Sequence, residues 1–348
     1  MSIYKYKNNW KAEVWINHKR VASKSGFGTK TEARAWHDEK AMNYRIDPEK
    51  FLKKKKILFD ELLEKYSLIH LSSISPMTSL RYLVDINHRI RPYFQYQPIE
   101  NISAMSIEAF RSGLTKKLST KSVNNCINLL FSIFRKGQEW GMVEVNPVRI
   151  RALKVASQKF SWWDKKGDIT SFLETSKESR YHMAFRLALE CGLRLGEIIG
   201  LSKKDISFSR NQIHIHRQWI DKLATYGPTK GRKERIVSFH PSSPLKELLR
   251  TAIEKSSHPE ALFLTPGGKR VSARKLAGHH FKKEVMRAKV PMIRFHDLRH
   301  TFASWYMIEV GDIWSLKGIL GHVDVQTTQR YAHLSQKHQK MPVLPWMV

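Results

Sequence analysis

The chain has 348 residues, 41% of them hydrophobic, and carries 61 Lys and Arg against 31 Asp and Glu, a formal net charge of +30. Such an excess of positive charge calls for an extended polyanion, nucleic acid fitting best, and the length suits about two domains or several small modules. Two cysteines, Cys126 and Cys191, are too few for a disulfide framework or a Cys-rich zinc site, and the sequence has neither an apolar signal core nor a run near the ~20 apolar residues of a membrane span. A soluble, cytoplasmic, non-secreted protein is expected.

From Asn9 to Phe27, Trp10, Ala12, Val14 and Ile16 alternate with Lys11, Glu13, Trp15 and Asn17, which predicts two or three short strands, with a turn at Asn17-His18-Lys19-Arg20. Thr29-Lys30-Thr31-Glu32 has capping-box spacing, and Ala33, Trp36 and Tyr44 give the helix that follows a face to lay on the sheet. Residues 1–50 therefore form one small module, whose Lys19 and Arg20 are candidates to enter a DNA groove from an exposed sheet face. The plainer reading is a solvated basic face. Asp47-Pro48 and Lys53-Lys54-Lys55-Lys56 mark a linker, because a block of like charge resists packing.

Residues 51–152 read as helical throughout. Leu58, Leu62, Leu63 and Tyr66 fall at helical spacing, as do Leu80, Leu83, Val84 and Ile90, then Ile107, Phe110 and Leu114. Ser122 to Trp140 places Val123, Ile127, Leu130, Phe131 and Phe134 on one stripe, closed by Gly141 and Asn146-Pro147. This predicts a four-helix domain, with Lys116, Lys117, Lys121, Arg135 and Lys136 clustered around its last two helices as candidate phosphate contacts; solvation alone also accounts for each of them.

Residues 153–348 form a larger, mostly helical unit with a small antiparallel sheet. Tyr181 to Glu190 is an apolar helix closed by Gly192; Ile206, Phe208, Ile213 and Ile215 alternate with polar residues, and Arg235 to Phe239 answers them across a turn at Gly231, which puts Lys230 at a hairpin tip. Helices are expected at Pro244 to Glu254, Ala273 to Arg287, Leu298 to Val310 and Ile313 to Leu320. Gly192, Gly196 and Gly200 read as close packing or a turn rather than a membrane contact. His214 and His216 read as a solvated strand face, since no third metal ligand is near in sequence. The apolar tail Met341 to Trp346 suits docking on a neighbouring protomer or covering its own domain.

The chemistry rests on this last unit. Arg194 and Arg299 are two guanidiniums suited to bidentate contact with the non-bridging oxygens of a phosphodiester, where charge grows as the phosphorus is attacked. Tyr331 is a nucleophile candidate; a phenol with a reference pKa near ~10 needs a proton acceptor, for which His296 is the candidate. Lys230, flanked by Gly231, Arg232, Lys233 and Arg235, is placed to protonate the leaving oxygen, its pKa lowered by cationic company. His322 would donate to the phosphate or position it. Glu197, a turn after Arg194, and His300, packed in its helix, are expected to support these groups from behind.

Arg194-Leu195-Gly196-Glu197, Lys230 in its basic run, His296-Asp297-Leu298-Arg299-His300-Thr301-Phe302-Ala303, Leu320-Gly321-His322 and Tyr331-Ala332-His333, in this order, resemble the tyrosine recombinases, in particular the integrases of temperate phages. Each piece alone is weak; together in order and spacing they are specific. The resemblance covers all three segments. It implies an arm-binding sheet-plus-helix domain, a core-binding domain whose last helix is similar to Asn125 to Pro147, and a catalytic domain. It further implies attack by Tyr331 to give a 3′-phosphotyrosine and a free 5′-hydroxyl, without metal, ATP or other cofactor, and a homotetramer on double-stranded attachment sites with core and arm elements. An excisionase or other directionality factor and a host DNA-bending protein would assist. The competing readings are a basic DNA-binding regulator without chemistry, and a type IB topoisomerase-like or telomere-resolving enzyme.

Overall fold

The computed structural model describes residues 2–16, 18–46, 56–155, 160–256, 258 and 260–338. Asn17 of the first turn, Asp47-Pro48 and Lys53 to Lys55 of the expected linker, and the tail Met341 to Trp346 lie outside them. The chain divides into two compact units, Met1–Ser157 and Gln158–Val348.

In the first unit, β1 (Ile3–Tyr6), β2 (Asn9–Ile16) and β3 (Lys19–Phe27) form an antiparallel sheet in that order. β1 starts ahead of the stretch whose alternation announced the sheet, and Lys19 and Arg20 belong to β3 rather than to the turn. Ala12 and Val14 are buried toward α1 (Lys30–Ile46), which presents Ala33, while Phe27 and Trp36 pack with ring centroids 5.8 Å apart. At the helix start Glu32 N donates to Thr29 Oγ1 as the spacing implied, while the Glu32 carboxylate accepts from Gly28 N, one residue ahead of the cap. On the opposite face Glu13 accepts from Lys11, Trp15, Arg20 and Tyr4, and the Lys11 hydrogen bond leads the effects that hold its carboxyl down to about 2.

The helical part of this unit runs α2 (Phe59–Lys65), a π turn at Tyr66–His70, α3 (Leu71–Ser73), α4 (Pro76–Asp85), a π turn at Ile86–Ile90, α5 (Arg91–Phe94), α6 (Ala104–Thr115) and α7 (Thr120–Glu139). Of the expected stripe Leu80, Leu83, Val84 and Ile90, Ile90 is buried and Leu83 packs on the core, but Leu80 and Val84 are exposed, and Ile86 and Phe94 enter the core with Ile90. A π turn takes in an extra residue and so swings the buried stripe around the axis; Pro92, which cannot donate to the fourth carbonyl back, follows it. Phe131 likewise points to solvent, its place on the α7 stripe taken by Cys126, Leu129 and Ile133. Lys116, Lys117 and Lys121 sit at the α6–α7 turn, whereas Arg135 and Lys136 lie about 20 Å further along α7 and both ion-pair with Glu139. The five cations are therefore two groups, not one cluster.

The second unit opens with α8 (Lys166–Thr175), α9 (His182–Cys191) and α10 (Leu195–Gly200). The sheet β4 (Ile206–Ser207), β5 (Gln212–Ile215), β8 (Arg235–Ser238) is antiparallel, and a separate hairpin of β6 (Arg217–Ile220) and β7 (Thr225–Pro228) is inserted between β5 and β8. Lys230 thus lies not at the tip of a β5–β8 hairpin but on the loop from one sheet to the other, because the residues between the paired strands are long enough to fold on themselves. α11 (Leu245–Lys255), then α12 (Ala273–Lys275) running through a π turn into α13 (Phe281–Arg287), precede α14 (Phe295–Glu309), α15 (Ile313–Leu320) and α16 (Gln326–Gln329). α14 starts at Phe295, earlier than its apolar spacing announced, because the Asp297 carboxylate accepts from Arg294 N at 2.8 Å and caps the first turn. Trp163, Phe172, Phe185, Phe281 and Phe295 knit the main core around α9, which is buried on nearly every side. A smaller apolar cluster joins Ala303 and Met307 of α14, Leu316 and Leu320 of α15, and Tyr331. Among the described residues no helix is long and apolar enough to cross a membrane.

Candidate active site

α10 begins at Arg194, whose backbone is extended at the helix cap. Glu197, three residues on and 1% exposed, turns back to accept from Arg194 N and from its guanidinium, both at 2.9 Å. The same carboxylate receives a bidentate pair from Arg235 at 3.0 and 2.7 Å. Burial alone would raise the carboxyl's pKa; the hydrogen bonds and charge of Arg235, and then Arg194, outweigh it and hold the group down to about 2. Arg235 also donates to Ile319 O at 2.7 Å, tying β8 to the end of α15.

Arg299 on α14 is 3% exposed and donates to Gly192 O and Leu320 O, each at 2.6 Å. Both carbonyls come from helix ends, which leave their last oxygens unsatisfied inside the helix. Gly192 closes α9 in the left-handed region, φ +63°, and a Cβ there would lie 2.5 Å from the Phe302 ring. Burial, then the neighbouring Arg194, lower the Arg299 pKa to about 9, which still leaves it cationic at neutral pH. Gly321, φ +62°, ends α15 and turns His322 toward Arg299: His322 Nε2 lies 3.1 Å from the Arg299 guanidinium and Nδ1 2.9 Å from Thr328 Oγ1. Burial and the adjacent cations Arg299 and Arg194 push the His322 pKa down to about 3. The ring is therefore neutral, its proton on Nδ1 toward Thr328.

His296 stands in the first turn of α14, open to solvent at one edge. Loss of water to the surrounding walls, then Arg299, bring its pKa to about 4. Arg194 also acts on it, so this imidazole shares the neighbourhood of both guanidiniums. His296 was the expected acceptor for the Tyr331 proton, and here the structure differs: the Tyr331 hydroxyl is hydrogen-bonded to His300 Nδ1. Residues 296 and 300 are one helical turn apart on α14, their rings 5.2 Å apart, and the inner one reaches the phenol. Tyr331 is 2% exposed, with its ring 5.0 Å from that of Phe160, and burial is the main cause of a phenol pKa raised to about 12.

Lys230 is exposed at the turn where Arg232 N donates to Thr229 O at 2.9 Å. Its neighbour Gly231 rests against the segment holding His322: a Cβ on Gly231 would meet Val323 Cγ2 at 3.0 Å and Gly321 O at 3.5 Å. Arg194, His296, Arg299, His322 and Tyr331 are thus brought together around α14, and the Lys230 loop lies alongside. Glu197 supports Arg194 as expected, while His300 touches the phenol itself. Elsewhere, His214 and His216 are each taken up by a carboxylate, Glu234 and Asp205, at 2.9 and 3.1 Å.

The residue that the sequence did not single out is Arg235. A signal was present: in β8 it alternates with exposed Ile236 and shares the inward phase with buried Val237, so a charge stands where a core residue belongs. A strand with its polarity inverted in this way announces a buried counter-charge, here Glu197.

A half-buried guanidinium, a buried one and two imidazoles lie close together, and a buried phenol is hydrogen-bonded to the residue after Arg299; these groups suit the polarisation of a phosphodiester and attack on it by an oxygen nucleophile. Residues 164–338, half the chain, match the phage integrase family. The chain belongs to that family, the tyrosine recombinases. This integrase-family chain is 27% identical over 284 residues to the tyrosine recombinase XerC of Lactobacillus leichmannii, covering 76% of the chain and 91% of the relative. It is 26% identical over 349 residues to the ICEBs1 integrase of Bacillus subtilis, covering 93% and 92%. The Tn1549 transposon integrase in complex with a circular intermediate DNA has the same fold, with a TM-score of 0.68 at 18% identity over 78% of this chain and 93% of that one. So does a lambda integrase dimer bound to a core site, with a TM-score of 0.62 at 18% identity over 98% and 97%.

Proposed function

We propose that this tyrosine site-specific recombinase cuts and rejoins double-stranded DNA at attachment sites to integrate and excise a phage or other mobile element. The observation that supports this reading is the closeness of Arg194, Arg299, His296 and His322, with the buried Tyr331 phenol hydrogen-bonded one residue along α14 from Arg299. Arg194 and Arg299 hold the non-bridging oxygens, more tightly as charge builds on them. His296 and His322 complete that cradle. Tyr331 Oη attacks the phosphorus, the bond to the 5′ oxygen breaks, and Lys230 supplies the proton that this oxygen takes up. The 3′-phosphotyrosine stores the bond energy until the 5′-hydroxyl of a partner strand attacks it and frees the tyrosine.

Residues 1–50 then bind arm-type sites through the sheet that carries Lys19 and Arg20, residues 51–152 grip core DNA, and residues 153–348 perform the chemistry. Lys116, Lys117 and Lys121 are the candidates for phosphate contact in the helical part, with Arg135 and Lys136 further along α7. Each protomer brings one phenol, and two duplexes need four cuts, so a homotetramer on DNA is the working form; a lambda integrase tetramer is known bound to a Holliday junction. A directionality factor and a host DNA-bending protein assist, and the enzyme works in the cytosol of a bacterial host.

The test is a nicked duplex carrying the core site read from the junction between the element and its host chromosome. The wild-type chain forms a tyrosine-linked adduct that resists denaturing gel electrophoresis, and Tyr331→Phe forms none. No adduct with wild type, or an undiminished one in Tyr331→Phe, rejects the proposal.

A further inference from the structure

If Tyr331 is the nucleophile, its proton must go somewhere when the phosphorus is attacked. We propose that His300 is the general base of the reaction: its Nδ1 takes the Tyr331 proton as the Oη–P bond forms and returns it when the strand is rejoined. This rests on the recombinase reading given above.

Three observations point the same way. His300 Nδ1 is, among the described residues, the hydrogen-bond partner of the Tyr331 hydroxyl. Among the described residues, neither of the other imidazoles of the site is hydrogen-bonded to the phenol. His322 has both ring nitrogens in contact, with Arg299 and with Thr328, and His296 faces the opening beside Arg299 and Arg194. Finally, His300 and Arg299 are consecutive on α14, so the helix itself fixes the distance between the proton acceptor and the guanidinium that holds the phosphate. The His300 ring stands between the Phe160 ring at 5.1 Å and the Tyr331 ring at 5.8 Å, with Nδ1 on the phenol hydroxyl.

The charged and titratable groups facing His300 are His296, Asp297 and Arg299 on its own helix, and Arg330 and Tyr331 from the segment after α16. Burial first, then the neighbouring His296, lower its pKa to about 4, and burial raises that of Tyr331 to about 12, so at rest the pair is a neutral imidazole and a neutral phenol. The proton moves only during bond formation, when the phenolic oxygen gives its electron pair to phosphorus and its hydrogen becomes strongly acidic. One Oη–P bond forms, one P–O5′ bond breaks, the phenol proton passes to Nδ1, and the leaving oxygen takes a separate proton from Lys230. The imidazolium so formed lies near the phosphate, whose negative charge offsets it. The reverse sequence regenerates the phenol.

The experiment uses the same nicked duplex in single-turnover mode. His300→Asn presents a carbonyl oxygen near the position of Nδ1, so it keeps an acceptor for the phenol but cannot carry away its proton; adduct formation should slow at least about 100-fold, with DNA affinity unchanged. Replacing Tyr331 in that variant by a ring-fluorinated tyrosine, whose phenol is more acidic, should recover at least about tenfold of the loss, because a stronger acid depends less on its base. A His300→Asn chain that cleaves as fast as wild type, or faster, makes the histidine a latch and overturns the proposal; so does a fluorotyrosine that recovers nothing. Should His300→Asn fail to fold, judged by near-UV circular dichroism, the solvent deuterium isotope effect on wild-type cleavage of a 5′-bridging phosphorothiolate duplex, whose leaving sulfur needs no proton from Lys230, decides: a normal effect supports proton transfer to the imidazole and its absence overturns it. A wild-type chain that forms no adduct sinks the recombinase reading as well, whereas an adduct undiminished by His300→Asn sinks this one alone.

Discussion

The cradle around Arg299 and the chamber around Tyr331 share α14 but are held by different forces. In the cradle, three guanidiniums surround one buried carboxylate, and each position is set by a directed hydrogen bond: Arg194 and Arg235 to Glu197, and Arg299 to the carbonyls that end α9 and α15. In the chamber, Ala303, Met307, Leu316 and Leu320 enclose the phenol by contact alone, and one hydrogen bond to His300 fixes its tip. On the proposed reading, a phosphate site must be rigid before its ligand arrives, so its cations are tied down by directed bonds, whereas a nucleophile needs shelter and a point of release. Packing without many directed bonds supplies both.

Breaking the cradle should have the largest effect. Glu197→Gln leaves Arg235 buried opposite a neutral amide, and removing one partner of a buried ion pair costs about 3–5 kcal/mol. Urea unfolding followed by tryptophan fluorescence should record that loss, and cleavage of the nicked duplex should fall with it; an unchanged midpoint would mean that the cluster is not held by charge. The chamber is tested by Leu316→Ala, a fully buried side chain whose truncation should cost about 2–5 kcal/mol. DNA affinity should stay constant there, since no cation moves, and a weakened affinity would blur the division between the two regions.

A finer cut is Arg235→Lys, which keeps the charge but loses the bidentate fork; single-turnover cleavage should drop on the order of tenfold while DNA binding holds. Equal losses in binding and cleavage would instead make Arg235 a plain DNA contact. Gly321→Ala should cost about 1–2 kcal/mol in the thermal midpoint, because its φ is positive and a Cβ would stand 3.0 Å from the Arg235 side chain.

The last comparison is with pH. His182, His296 and His300 have folded-state pKa values near 4, and His322 near 3, all below their ordinary 6.5. The unfolded chain then binds more protons than the folded one between these values. The stability these groups contribute is complete above pH 6.5 and is lost as pH falls toward 4 and 3. Glu197, lowered from 4.5 to about 2, adds a further loss below pH 4.5. Urea midpoints at pH 7.5, 6 and 5 should therefore decline in order, and a flat series would contradict neutral imidazoles at the buried His182 and His300.

Much of this was legible from residue order. Arg194, His296, Arg299, His322 and Tyr331 stood out as candidates by type and spacing, and the stripe of α7, Phe131 apart, followed from helical period. Two things were not. The phase of the helix through Leu80 and Val84 was lost at a π turn, which depends on backbone hydrogen bonds that no local composition signals. The insertion of β6 and β7 hid the true place of Lys230, since strand partners are chosen by the whole sheet rather than by the nearest turn.

The sequence by itself determined the charge that suits a polyanion, the helical and strand periods, and which side chains are candidates for the chemistry, for these reside in side-chain chemistry and short-range spacing. Only the tertiary structure decided which imidazole meets the phenol and which arginine braces Glu197. His296 and His300 are equivalent by type and differ by a single helical turn, and Arg235 is one cation in a basic run. Choosing among such equals requires knowing which side of a helix or strand is buried against which neighbour, and contacts between residues distant in the chain fix that.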